Sequence, residues 1–191
     1  MSKILLINTG KTQYIEGSLN WVTDGSRMFE GCSNLASFNS DLSSLANSNY
    51  MFQNCSNLTS FSSDLSSLTD GTYMFGSCSN LTSFSSDLSS LTNGSNMFYG
   101  CKNITSFSSD LSSLTNGSRM FGYSTSNCTK LDLASVQNIA ETINDLASKG
   151  TTGTIGIGIA KALQSDDETA PINVALAAIR AKGWTVTEMY A

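Results

Sequence analysis

Cysteine and aspartate recur in this chain at a fixed interval. Cys32, Cys55, Cys78 and Cys101 stand 23 residues apart, and Asp41, Asp64, Asp87 and Asp110 keep the same step; Cys128 is a fifth cysteine. If successive copies stack, the thiols come within disulfide range, and the carboxylates form a column that could bind calcium between layers. Neither chemistry fits well. The cysteine count is odd and each cysteine belongs to an apolar frame, where a small thiol packs as a hydrophobe. The sequence has no CxxC and no histidine, so zinc is not indicated. One carboxylate per layer supplies few oxygen ligands, and an Asp capping a turn through its own backbone explains the spacing equally well. The expectation is reduced, buried, structural thiols and turn-forming aspartates, with no metal or other cofactor.

Other chemical motifs also fail on spacing. Leu5 to Thr12 reads as a strand running into Gly10-Lys11-Thr12, but a phosphate loop also needs glycine where Leu5 stands. Gly153-x-x-Gly156-x-Gly158 has the wrong spacing for a dinucleotide loop, and its alternation with isoleucine indicates a strand. Without histidine the common Ser-His and Cys-His arrangements are excluded, and the chain is expected not to be an enzyme. Charged residues make up 13% of 191, the formal charge is −5, and no Lys or Arg lies between Arg27 and Lys102. Nucleic-acid binding needs a basic footprint that the repeats lack. No apolar run is long enough to span a membrane. The start, MSKILLINTGK, has too short an apolar run for a signal peptide and no cleavage site. The sequons Asn57-Leu-Thr59, Asn80-Leu-Thr82 and Asn103-Ile-Thr105 recur only because the repeat does.

What positions these residues is the repeat itself. A 23-residue block is written four times, opening at Met28, Met51, Met74 and Met97, and a fifth opens at Met120 before breaking pattern. In the third copy the apolar frame is Met74, Phe75, Cys78, Leu81, Phe84, Leu88 and Leu91, with Gly94 closing the unit. One copy cannot bury seven large side chains alone, so each must stack on its neighbours. Met-Phe-x-x-Cys fits one helical or 3-10 turn, Leu81 to Phe84 is β-capable, and Gly94 is expected to supply a positive-φ turn. Coils about 4.8 Å apart would put Phe on Phe, Leu on Leu and Cys on Cys.

Half a further copy precedes the first, with Ile15, Leu19, Val22 and Gly25 in frame. The expected organisation is an N-terminal capping strand in 1–14, centred on Lys3 to Ile7, and a solenoid of about five coils over 15–133. A small α/β C-terminal cap follows in 134–191. After Met120-Phe121 a four-residue insertion, Tyr123 to Ser126, precedes the return of the frame at Cys128-x-x-Leu131. Val136, Ile139, Ala140, Ile143, Leu146 and Ala147 mark one face of a helix that Gly150 should stop. A strand follows over Thr154 to Ile159 and a second helix opens at Pro171, with Ala175, Leu176 and Ile179 inward. Trp184 to Met189 reads as a last strand.

The frame M-F-x-x-C-x-x-L-x-x-F…L-x-x-L-x-x-G, from about Ile15 to Leu133, resembles the short bacterial leucine-rich repeat of the BspA-like type, whose unit is also 23 residues. It departs from that pattern in having Asp where the family has Pro after the second strand, and Ser63, Ser86 or Ser109 where its strand has a second apolar residue. The wording CSNLTSF…DLSSLTNGSxMFxxC, with LDLASVQNIAETINDLA and a closing KGWTV, is similar to proteins of gut bacteria and of the phages that infect them. There such repeats sit on surface proteins or virion appendages. The resemblance implies a non-catalytic structural or recognition protein. Its expected setting is a bacteriophage virion (fibre, decoration or receptor-contacting component) made in the bacterial cytoplasm; the alternative is a bacterial cell-surface adhesin. Its partners would be protein or glycan on a bacterial surface, other virion proteins, or further copies of itself. The solvent-facing candidates for contact are Thr59, Ser60, Thr82, Ser83, Thr105 and Ser106. Phe84→Asp should collapse the stack by burying an unpaired charge; a folded variant of unchanged thermal stability would refute the ladder arrangement.

Overall fold

The computed structural model describes residues 18–191. The expected capping strand at Lys3 to Ile7, the Gly10-Lys11-Thr12 segment and Ile15 lie outside them. The copies stack in register as parallel coils. Four short strands, β1 (Ser37–Phe38), β2 (Ser60–Phe61), β3 (Ser83–Phe84) and β4 (Ser106–Phe107), pair two by two. Ser37 lies opposite Ser60 and Ser83 opposite Ser106. Each strand is shorter than Leu81 to Phe84 suggests, because the Leu81 amide turns back onto the Cys78 carbonyl at 3.2 Å. The pairing that runs through every coil is elsewhere, in parallel bridges from Asp24 to Asn47, Asp70, Asn93 and Asn116.

The Met-Phe-x-x-Cys segment is a chain of single turns. Met74, Gly76 and Cys78 donate to the carbonyls of Gly71, Tyr73 and Phe75 at 3.0, 2.9 and 3.0 Å. The amides between them, of Tyr73, Phe75 and Ser77, donate to Ser95, Met97 and Tyr99 of the next coil at 3.1, 2.9 and 2.6 Å. A left-handed residue every fourth position, Tyr73 at φ 54° and Ser77 at φ 63°, stops a helix from propagating and turns alternate amides toward the neighbour. The same conformation recurs at Arg27, Tyr50, Asn54, Asn96 and Arg119. A side chain there costs about 1–2 kcal/mol, which the inter-coil hydrogen bonds offset.

The closing glycine differs from expectation. Gly94 has no positive φ; the left-handed residue is Asn96, two positions on. Glycine makes room there: a Cβ on Gly94 would lie 3.2 Å from the Met120 sulfur and from Leu91, although the first copy accommodates a buried Ser48 at the same place. Gly71 is crowded in the same way by Met97 at 3.2 Å.

The frame residues form one continuous core, with Leu19 and Val22 of the front half-copy buried in line with the rest. Two columns of phenylalanine run along it. Phe29, Phe52, Phe75, Phe98 and Phe121 stack at 5.2 to 5.6 Å between ring centroids, and Phe38, Phe61, Phe84 and Phe107 at 5.8 to 6.1 Å. The columns meet edge to face, as where Phe84 contacts Phe98 at 4.9 Å.

After the fourth copy the chain forms α1 (Leu133–Thr142), β5 (Gly153–Ile159), α2 (Pro171–Ala181) and β6 (Trp184–Tyr190). β5 continues the coils through parallel bridges of Ile155 to Gly117 and Ile159 to Leu131, and β6 pairs parallel to β5. Its glycines permit this contact: a Cβ on Gly156 would lie 2.7 Å from the Gly122 carbonyl, and one on Gly158 would lie 2.5 Å from that of Thr129. Asp132 caps α1 by accepting the Ser135 amide at 2.8 Å. The helix ends at Thr142, before the Leu146 and Ala147 that continue its apolar face, and Gly150 (φ 67°) instead closes a 3-10 turn at Ala147–Lys149. The reason is capture of the backbone at its end. Lys182 Nζ donates to the carbonyls of Ala140, Glu141 and Ile143, and buried Asn144 donates its amide to Leu111 and its side chain to Leu114. α2 opens on Pro171 and buries Ala175, Leu176 and Ile179 as expected.

Gly94→Ala should lower stability by about 1–3 kcal/mol, the range for overpacking a filled core. Gly122→Ala should cost more, because Gly122 sits at φ 112° and its Cβ would approach Cys128 Cα to 2.4 Å. Urea denaturation of the two variants checks the order.

Candidate recognition surface

The strand face is built from the residues beside each inward phenylalanine. Ser60, Ser83 and Ser106 are the outward members of β2, β3 and β4, and Thr59, Thr82 and Thr105 precede them. All six are exposed, on three adjacent coils. The hydroxyls do not all face outward: Thr59 donates to the Ala36 carbonyl of the preceding coil at 3.0 Å. At the other end α1 abuts the face, where the Thr105 carbonyl accepts the Asp132 amide at 2.9 Å and Ser135 Oγ accepts the Phe107 amide at 2.8 Å. The arrangement is a rigid row of hydroxyls and backbone groups suited to many weak polar contacts.

The regular aspartates close turns. Asp41, Asp64, Asp87 and Asp110 each accept the amide two residues on, at 2.9, 2.8, 2.8 and 2.7 Å. For Asp64 the Ser66 backbone amide, then its hydroxyl, hold the carboxyl below its ordinary range.

The five cysteines are buried and none is in a disulfide. Cys55, Cys78 and Cys101 each donate their thiol to the carbonyl of the phenylalanine 26 residues back, at 3.1, 3.1 and 3.0 Å. The thiol column thus gives the carbonyls of Phe29, Phe52 and Phe75 a second donor, beside the backbone amide three residues on that each already accepts. Burial pushes the Cys55 and Cys101 thiols up to about 12 and Cys78 well above its usual value. For Cys55 the neighbouring Cys32 adds to the effect.

Two surface features escaped the sequence reading. The first is a second turn column at Asp24, Asn47, Asp70, Asn93 and Asn116, each accepting the amide two residues on. Its members also bond across coils, Asn116 to Asn93 at 3.0 Å and Asn93 to Asp70 at 3.3 Å. The 23-residue recurrence of Asp or Asn was there to be read. The second is an aromatic stripe beside the Met-Phe turns. Tyr50 stacks on Tyr73 at 5.2 Å, Tyr73 meets Tyr99 edge-on at 5.9 Å, and Tyr99 stacks on Tyr123 at 5.7 Å. Arg27 lies over Tyr50 at 4.5 Å and Arg119 over Tyr123 at 5.0 Å. Burial and then Tyr123 raise the Tyr99 phenol. The signal for the stripe was variation: these side chains fall where the copies disagree.

Stacked short coils with this Met-Phe-x-x-Cys frame point to one repeat class, and the family described as BspA type leucine rich repeat region (6 copies) matches residues 7–132 and 48–159. The chain belongs to that family. No curated protein and no solved structure matches it. Leucine-rich repeats of this type serve protein or surface binding. No described helix is long and apolar enough to cross a membrane.

The buried thiols fix a pH dependence. Below the ordinary thiol range, about 8.5, folded and unfolded chains both keep their protons and stability is full. As pH rises above it, the unfolded chain ionises while the folded core does not, so stability falls until Cys55 and Cys101 ionise near pH 12. The urea midpoint should drop from pH 8 to 11, and less so in a Cys55→Ala/Cys101→Ala variant. At pH 8 a thiol-specific reagent should label the native chain slowly, and all five cysteines once it is unfolded.

Proposed function

We propose that this is a non-catalytic recognition protein that presents a polar repeat surface to a protein or glycan partner. The observation that carries this reading is the exposed row of Thr59, Ser60, Thr82, Ser83, Thr105 and Ser106 on a rigid stack of a binding-repeat family. Residues 18–133 act as the solenoid, with 134–191 capping its C-terminal end. The C-terminal unit suits that role, since β5 occupies the position of a further coil and α1 and α2 bury apolar faces, packing on each other and on β4 and β6. The roles found for cysteine and aspartate, thiol donors to carbonyls and turn formers, favour structure over catalysis.

The proposed setting is a bacteriophage virion, with the chain as a fibre, decoration or receptor-contacting component. Mass spectrometry of purified particles is expected to find the chain. Its absence from particles, together with surface labelling on intact bacterial cells, would reassign it as a cell-surface adhesin.

A further inference from the structure

The copies are nearly identical over the strand face but diverge at one corner. Just before the Met-Phe pair stand Arg27, Tyr50, Tyr73, Asn96 and Arg119; just after it stand Glu30, Gln53, Gly76, Tyr99 and Gly122. The inward positions are held constant by packing, so substitution at this outward corner is free of the core's demands. What occupies it is not random: four of the chain's six tyrosines and two arginines meet here in one unbroken stripe. Four of those tyrosine and arginine positions, Arg27, Tyr50, Tyr73 and Arg119, hold the strained left-handed conformation. Tyr73 lies across Gly76, where a Cβ would come within 3.1 Å of its ring.

We propose that this stripe is a second interaction surface, distinct from the strand face, and that it binds an extended acidic polypeptide segment. It rests on the recognition reading only in taking the chain to bind a partner. Composition supports a polypeptide: tyrosine and arginine set among serine, glycine and asparagine is the make-up of protein-binding loops. Geometry disfavours sugar stacking, which needs a free ring face. Tyr50 and Tyr73 are parallel within 8°, Tyr99 and Tyr123 within 12°, and a guanidinium covers each end ring. The Tyr99 hydroxyl is already held, accepting from Asn127 Nδ2 at 3.2 Å. What remains outward is ring edges, which are electropositive, the hydroxyls of Tyr50 and Tyr73, and guanidinium N–H groups. All of these seek acceptors, which carboxylates and peptide carbonyls supply. Arg27 keeps donors to spare: its side chain is 60% exposed and Glu30 takes only one terminal nitrogen, at 2.8 Å. A second copy laid antiparallel on the stripe would set Arg27 against Arg119, so charge disfavours self-association there. Arg27 and Arg119 are four coils apart, about 19 Å at one strand spacing per coil. An extended chain covers that distance in about six residues.

The probe is a synthetic nine-residue Ser/Thr/Gly peptide with Asp at residues 2 and 8, titrated into the intact protein and followed by NMR chemical shifts. Saturable shifts are expected at Tyr50, Tyr73, Tyr99 and Tyr123, with affinity falling about tenfold in Arg27→Gln and again in Arg119→Gln, and lost for the peptide with Asn at both positions. Tyr50→Phe and Tyr73→Phe, which keep the stacking, should weaken binding without changing the circular dichroism spectrum. No saturable response, or equal response to the Asp and Asn peptides, overturns the proposal. So does binding of a neutral oligosaccharide, maltoheptaose, at the stripe in place of the peptide. Shifts confined to Thr82 and Ser83 would overturn the stripe while leaving the recognition reading intact, whereas that reading fails on its own test with particles and cells.

Discussion

Everything in this molecule depends on two interlocked columns of phenylalanine. Each ring stacks on its equivalent one coil away and meets the other column edge to face, so no coil has a complete core without its neighbours. Aromatic pairs of this geometry contribute about 0.5–1.5 kcal/mol beyond their buried area, and here the pattern repeats along the whole stack. Methionine, leucine and cysteine fill the space around the columns, and the frame residues of the middle copies are almost wholly buried.

The columns dictate the backbone. Holding rings in register at 5.2 to 6.1 Å keeps successive coils at hydrogen-bonding distance, and the chain then satisfies its amides between coils. Alternate amides of the Met-Phe turn point to the neighbour only because every fourth residue is left-handed. The thiols complete this arrangement, each giving a buried carbonyl that already accepts one amide a second donor small and apolar enough for the stack. Asparagine and aspartate do the equivalent at the surface, where each closes its own turn and some also bond the next coil.

Such a scaffold separates stability from recognition. Inward positions cannot vary without disturbing both neighbours, whereas outward ones can. The strand face stays uniform, a row of Thr and Ser, and the corner beside the Met-Phe turns carries the chain's individuality in its tyrosines and arginines.

The sequence alone determined the repeat length, the inward frame, the family, the turn-forming aspartates and the burial of the cysteines. A 23-residue period with seven apolar positions has one economical solution, in which identical residues stack. It also placed the six strand-face residues outward. Each serine is set by alternation beside an inward phenylalanine, and each threonine because the apolar frame already assigns the inward positions to the Leu or Ile before it and the Phe after. Only the tertiary structure decided the rest. Gly94 looked like a positive-φ residue, but Asn96 takes that strain and the glycine instead leaves room beside Met120 of the next coil. The apolar face running to Ala147 suggested a longer helix, yet Lys182, some forty residues on, and Asn144 capture the backbone where α1 ends. The aromatic stripe was invisible for a related reason: Tyr73 and Tyr99 occupy different positions of the repeat, and they become neighbours only when coils stack. A periodic sequence reveals what recurs within the period; contacts between unlike positions in successive coils exist only in three dimensions.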